Sequence, residues 1–259
     1  MKRLVSVVLL FLLLVGCSPS ETTASSTSSE ESSQVEQSTP VGLADQSRAE
    51  EPILLHEEAF YADHALGFDH HYLPNYGDPA DIAETDKFKF FEYFVFADEL
   101  YDAGEQFYNT ETSCFEIPIA EIETVLDRYL GISFDPAVAF ENQAYDAEFH
   151  YGYDAENALY VTPTFGRYVS SDYMALSTGR TTNEDGSVTI TFACYYLPED
   201  NLQYKVKTMT FLEDPDDLDH YQILQNVDTY TIDGQSVTVT TAEEYSQLRS
   251  YLEKEPWFR

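Results

Sequence analysis

An α+β fold follows from two features of this 259-residue sequence. Segments with helical spacing of apolar residues come first, and segments with strict apolar–polar alternation come after them. A third feature sets the sheet type. Short acidic turns separate the alternating segments, which is the rhythm of an antiparallel meander and not of a parallel strand–helix–strand sheet. The expected architecture is N-terminal helices packed on an antiparallel β-meander, with a helix at the C-terminus.

Residues 85–101 form the first expected helix, with Phe88, Phe91, Val95 and Tyr101 near helical spacing and Phe90, Phe94 and Phe96 widening the apolar face. Residues 118–130 form the second. Pro118 suits its first turn, Ile119, Ile122, Val125, Leu126 and Tyr129 make its stripe, and Gly131 is its stop. Glu121 and Glu123 lie near its N-terminus, where the helix dipole favours them.

Residues 157–163 and 167–180 are the first expected strands, the second alternating Tyr168, Ser170, Asp172, Met174 and Leu176. Asn183-Glu184-Asp185-Gly186 marks a turn. Residues 187–197 place Val188, Ile190, Phe192, Cys194 and Tyr196 on the face expected to be buried. Residues 202–212 set Leu202, Tyr204 and Val206 against Gln203, Lys205 and Lys207, and residues 220–232 set Tyr221, Ile223 and Val227 on one face. Asp233-Gly234 turns the chain into Val237 and Val239. The last helix opens on a capping box, Thr241 to Glu244, and turns Tyr245, Leu248 and Leu252 inward.

The N-terminus carries the strongest motif. Lys2 and Arg3 precede an apolar run from Leu4 to Val15, broken only by Ser6. The run is shorter than the ~20 residues a membrane-spanning helix needs, and it has the dimensions of a cleaved signal. It ends in Leu14-Val15-Gly16-Cys17, which resembles the lipobox of bacterial lipoprotein signal peptides. The resemblance covers residues 1–17. It implies that residues 1–16 are removed, that Cys17 is the lipidated first residue, and that the mature protein sits on the extracytoplasmic face of the cell membrane.

Residues 18–39 hold 13 Ser or Thr among 22, and their only apolar side chains are Ala24 and Val35. Such a tract buries too little surface to offset its ordering entropy, so residues 17–52 are expected to be a disordered tether. As a coil, residues 18–52 would span about 30–35 Å. Of 38 aromatic residues only Phe11 precedes Phe60. That boundary places one folded domain at residues 53–259.

The formal charge is −34, and near −36 once Lys2 and Arg3 are removed. Nucleic-acid binding needs a basic face and is excluded. Anionic headgroups would repel the chain, so the lipid anchor is its membrane partner. Apart from Cys17, only Cys114 and Cys194 remain, an even pair that makes a candidate disulfide in an oxidising compartment. Cys114 is expected in a turn before a helix and Cys194 in mid-strand.

His56, His64, His70 and His71 gather with Glu57, Asp63 and Asp69, yet their spacing matches no strong zinc signature. They are expected to be ordinary histidines of a polar N-terminal arm. Asp214, Asp216, Asp217 and Asp219 lack the glycine and distal Glu of a calcium loop, so a solvated hairpin turn is expected. There is no nucleophile elbow, no serine–lysine motif and no cofactor signature. Tyr151, Tyr153, Tyr160, Tyr168 and Tyr173 are candidates for a sugar- or peptide-binding surface as well as for strand packing.

Helices followed by a meander are also similar, in architecture alone, to the cone-shaped fold of the nuclear transport factor two-like superfamily. That resemblance implies a curved sheet around a pocket, and such folds host enzymes and binding modules alike. The reading that emerges is a non-catalytic module binding a protein, peptide or glycan at the envelope, with no metal or cofactor. A hydrolase acting on wall material and a metal-binding lipoprotein are the alternatives.

Overall fold

Two antiparallel sheets and the helices packed on them account for the described residues. The computed structural model describes residues 54–97, 102–164 and 172–255, all within one compact unit, Ala49–Arg259. The signal segment 1–16, Cys17, the tether 17–52, helix residues 98–101 and strand residues 167–171 with Tyr168 lie outside the described residues.

Helix α1, Glu58–His70, corrects the reading of this stretch as a polar arm. Tyr61, His64, Ala65 and Phe68 recur at positions i, i+3, i+4 and i+7 and are all buried. A histidine in the stripe disguised it. Gly67 is required where it stands, because a Cβ there would lie 2.6 Å from the Tyr93 ring.

Helix α2, Glu84–Glu92, runs into a π-helical turn, Tyr93–Ala97, and so replaces the single long helix expected. The wider turn re-aims the stripe, and Phe90, Phe91, Tyr93, Phe94 and Val95 are all buried.

Strands β1, Tyr108–Asn109, and β2, Cys114–Pro118, form a hairpin that lacks an apolar alternation long enough to read. Cys114 therefore opens a strand and is not in a turn. Helix α3, Ile119–Leu130, follows directly as expected and ends on Gly131 in the left-handed region, φ 66°. Asp135 caps the short α4, Pro136–Ala139. Strands β3, Gly152–Asp154, and β4, Leu159–Thr162, complete a four-stranded sheet of order β1-β2-β4-β3.

The second sheet is the meander, with order β5-β6-β7-β8-β9. Its strands are Tyr173–Thr182, Val188–Tyr196, Leu202–Asp214, Asp217–Ile232 and Gln235–Val239. β6 buries Val188, Ile190, Phe192 and Cys194 as expected. Edge strand β5 buries Ala175 and leaves Leu176 47% exposed.

Two bulges overturn the expected faces of β7 and β8. Cys194 pairs with Lys205 and Tyr195 with Gln203, so Tyr204 is the extra residue of a bulge. Beyond it Lys205, Lys207, Met209 and Phe211 face inward, and all four are buried. In β8, Phe211 pairs with Ile223 and Thr210 with Gln225, which skips one residue. The phase reverses there. Tyr221 and Ile223 face the core together with Asn226 and Asp228, while Val227 is buried from the opposite face.

Asp214 pairs with Asp217 across the acidic hairpin, and its carboxylate accepts the amide of Asp216. Helix α5, Ala242–Leu252, begins with the expected capping box. Thr241 Oγ1 accepts the Glu244 amide, and Glu244 accepts the Thr241 amide in return. Leu252 is buried, and Tyr245 and Leu248 pack partly buried with Tyr230 and Val239. Thr241→Ala is expected to cost about 1 kcal/mol, the usual scale of a lost N-cap, as a lower urea midpoint at unchanged m-value.

Candidate functional site

The buried stripe of β7 brings two lysines to the inner face of the sheet, where unpaired charge is costly. Each lysine meets the same two carboxylates. Lys205 Nζ lies 2.6 Å from Asp69 Oδ1 and 2.8 Å from Asp228 Oδ2. Lys207 Nζ lies 2.8 Å from Asp69 Oδ1 and 3.1 Å from Asp228 Oδ1. Asp228 is placed by strand register, since it pairs directly with Lys207. Asp69 arrives from the last turn of α1.

Polar neighbours complete the cluster. Tyr204 Oη donates to Asp69 and Tyr230 Oη to Asp228, at 3.3 and 3.2 Å. Lys207 Nζ donates to Asn226 Oδ1 at 2.9 Å. The Asn226 amide nitrogen donates to the Pro74 carbonyl and to Asn75 Oδ1. Two positive and two negative charges therefore sit in a closed, neutral tetrad. Burial alone would lower the Lys205 ammonium, but Asp228 and Asp69 outweigh it and hold the group above its ordinary value. Burial alone would raise Asp228, yet Lys205 and Lys207 keep it below the usual carboxylate range.

The tetrad adjoins a groove of about 750 Å³ between α5 and the end of the meander. Its lining includes the buried Lys205 and Tyr230, the half-buried Tyr204, the hydroxyl-bearing Thr229, Thr231 and Ser236, and the exposed Tyr251, Lys254 and Glu255. Lys205 Nζ lies 5.6 Å from the Tyr204 ring centre and 5.9 Å from that of Tyr230, so its charge is held against both rings.

The four histidines part company. His64 is fully buried, its Nδ1 2.7 Å from Tyr93 Oη and its Nε2 2.8 Å from Tyr221 Oη. Burial, helped by the charge of His56, lowers its pKa to about 3. The ring is neutral, and both of its nitrogens are used. His56 stacks on Phe60, and His70 and His71 meet Tyr173 and Tyr93 edge-on. Among the described residues, no three His, Cys, Asp or Glu side chains are grouped to hold a metal.

Cys114 and Cys194 are free, buried thiols in different sheets. Burial pushes the Cys194 thiol up to about 12, so it carries no thiolate at neutral pH. The described tyrosines divide between two places. Tyr151, Tyr153 and Tyr160 gather with Phe140 and Gln143 on the four-stranded sheet. Tyr173 packs against Tyr196 and Tyr204 on the meander, beside the tetrad.

Sequence periodicity gave no warning of Asn226 or Asp228. For the two lysines one signal was available. Lys205 and Lys207 share the odd-numbered phase of Met209 and Phe211, and following that phase backwards from the apolar end puts both lysines inside. No family model, no curated protein and no solved structure matches this chain.

Proposed function

We infer that this protein is a lipid-anchored lipoprotein of the extracytoplasmic membrane face whose domain binds a glycan or peptide without transforming it. The groove beside α5 carries this reading. The groove's lining includes Tyr204, Tyr230 and Tyr251 as well as the hydroxyls of Thr229, Thr231 and Ser236, a mixture that suits ligands that are themselves part apolar and part hydroxylated or amidic. The buried charges favour binding over catalysis. A hydrolase acting on the wall's glycosidic bonds needs two carboxylates of different protonation in one cleft. Asp69 and Asp228 are each neutralised by lysine. Glu92, which burial pushes up to about 7, does not line the groove.

Location rests on Leu14-Val15-Gly16-Cys17. Among the described residues no helix is long and apolar enough to cross a membrane. One acyl chain binds only marginally, so a multiply acylated Cys17 is implied. Cys17→Ala is expected to leave unprocessed precursor or to release protein from the membrane fraction. Normal processing and unchanged fractionation of that variant would defeat the assignment.

Binding is tested with the mature protein in detergent micelles, titrated with soluble peptidoglycan fragments and followed by tyrosine fluorescence. Tyr251 is 55% exposed in the groove's lining, and Tyr251→Ala is expected to weaken saturable binding about tenfold, the scale of a truncated aromatic anchor. No saturation, or saturation indifferent to Tyr251, counts against the groove.

A further inference from the structure

Lys207 and Asn226 are held in a geometry that an ion-pair network does not need. The lysine is 1% exposed and the asparagine 0%. Lys207 Nζ is 2.9 Å from Asn226 Oδ1, and the carboxamide carbon is one bond further on. The carboxamide is fixed from behind, because its nitrogen donates to the Pro74 carbonyl at 3.2 Å and to Asn75 Oδ1 at 3.3 Å. Its backbone is fixed as well, exchanging both hydrogen bonds with Tyr76 at 2.8 and 3.0 Å. One oxygen of the neighbouring carboxylate is conspicuous. Asp228 Oδ1 is buried and accepts no hydrogen bond, yet it lies 3.1 Å from Lys207 Nζ.

We propose that Lys207 and Asn226 join in an intramolecular isopeptide bond that staples β7 to β8. The Lys207 ammonium passes one proton to Asp228, and the freed amine attacks Asn226 Cγ. A bond forms between Nζ and Cγ, and the bond from Cγ to Nδ2 breaks. Nζ gives up a second proton to the departing nitrogen, which leaves as neutral ammonia. The product is a secondary amide, and Asp228 keeps the first proton.

Charge stays balanced throughout. Before the reaction two lysines face two carboxylates. Afterwards Lys205 faces ionised Asp69, and Asp228 is a neutral acid able to donate a hydrogen bond to the new amide. Three physical factors favour the step. An amine and a carboxamide already held within one hydrogen bond of each other need no encounter, and such pre-positioning raises the rate of an intramolecular reaction by orders of magnitude. A carboxylate beside the amine supplies the general base that frees it for attack. A site closed to water protects both the neutral amine and the product amide. Lys205 has no such option, because its hydrogen bonds go to the carboxylates Asp69 and Asp228 and not to a carboxamide.

Peptide mapping of the mature, denatured protein tests this. Between Lys207 and Arg249 the sequence has no Lys or Arg. In the stapled protein trypsin cannot cut after Lys207, so residues 206–249 emerge as one peptide, lighter than its sequence by one ammonia. Redigestion with chymotrypsin releases a branched peptide joining Lys207 to Asn226. Lys207→Arg and Asn226→Ala are expected to show full sequence masses. A wild-type peptide beginning at Thr208 with its full sequence mass overturns the proposal. So does an ammonia loss confined to Asn226 with normal cleavage after Lys207. A complete staple in Asp228→Ala would overturn the proton-acceptor role given to Asp228. Because the map is read on denatured chains, poor folding of a variant cannot obscure the wild-type result.

Discussion

Replacing Asp228 with Ala is expected to cost about 3–5 kcal/mol of folding stability, the range for removing one partner from a buried ion pair. The variant leaves Lys205 and Lys207 facing Asp69 alone, so one buried ammonium is uncompensated. Tyr230 and Asn75 also lose the oxygen to which they donate. The measurement is urea unfolding at neutral pH, compared at equal m-value. A second variant separates charge from packing. Asp228→Leu combined with Lys207→Met leaves the balanced pair Lys205 and Asp69, and it is expected to be more stable than Asp228→Ala because no buried ammonium is left uncompensated. A loss below about 1 kcal/mol in Asp228→Ala would mean that water reaches the tetrad and screens it.

Acid is the second large lever, and His64 sets its direction. The folded-state pKa of about 3 lies below the ordinary 6.5 of an unfolded histidine. The unfolded chain therefore binds the proton first. Stability from this group is fully present above pH 6.5 and is lost as pH falls from 6.5 towards 3, at about 1.4 kcal/mol per pH unit. The total is about 4 kcal/mol at the acid end of that window. The cause is structural. Burial takes water away from the charged ring, and the neighbouring His56 opposes a second positive charge beside it. His70 and His71 are lowered by burial in the same sense, so the comparison is with His64→Gln, which hydrogen-bonds but does not titrate. Chemical denaturation between pH 7 and 4.5 is expected to fall steeply for the wild type and much less for His64→Gln. Parallel curves would show that the imidazole titrates normally.

The sequence by itself determined the elements whose signal is local. Helix α3 was legible because its stripe is continuous and Gly131 stops it in the left-handed region. The capping box of α5 needs only Thr241 and Glu244. The alternation of β6 and the acidic turns announced the meander, and hence the α+β class. The site was not legible in the same way. Periodicity assigns a face only while the phase holds, and the bulges at Tyr204 and between Ile223 and Gln225 each reverse it. The reversal in β8 carries Asn226 and Asp228 inside, to meet Lys205 and Lys207 on the unbroken inner phase of β7. Their burial is tolerable only because Asp69 reaches them from α1, more than 130 residues earlier in the chain. Likewise the polar character of His64 hid the stripe of α1, since its two tyrosine partners come from elements far apart in sequence. Local pattern decides which residues form a helix or a strand. Which polar groups survive in the interior is decided by the partners that tertiary packing brings to them, because a buried charge is stable only where its counter-charge is also buried.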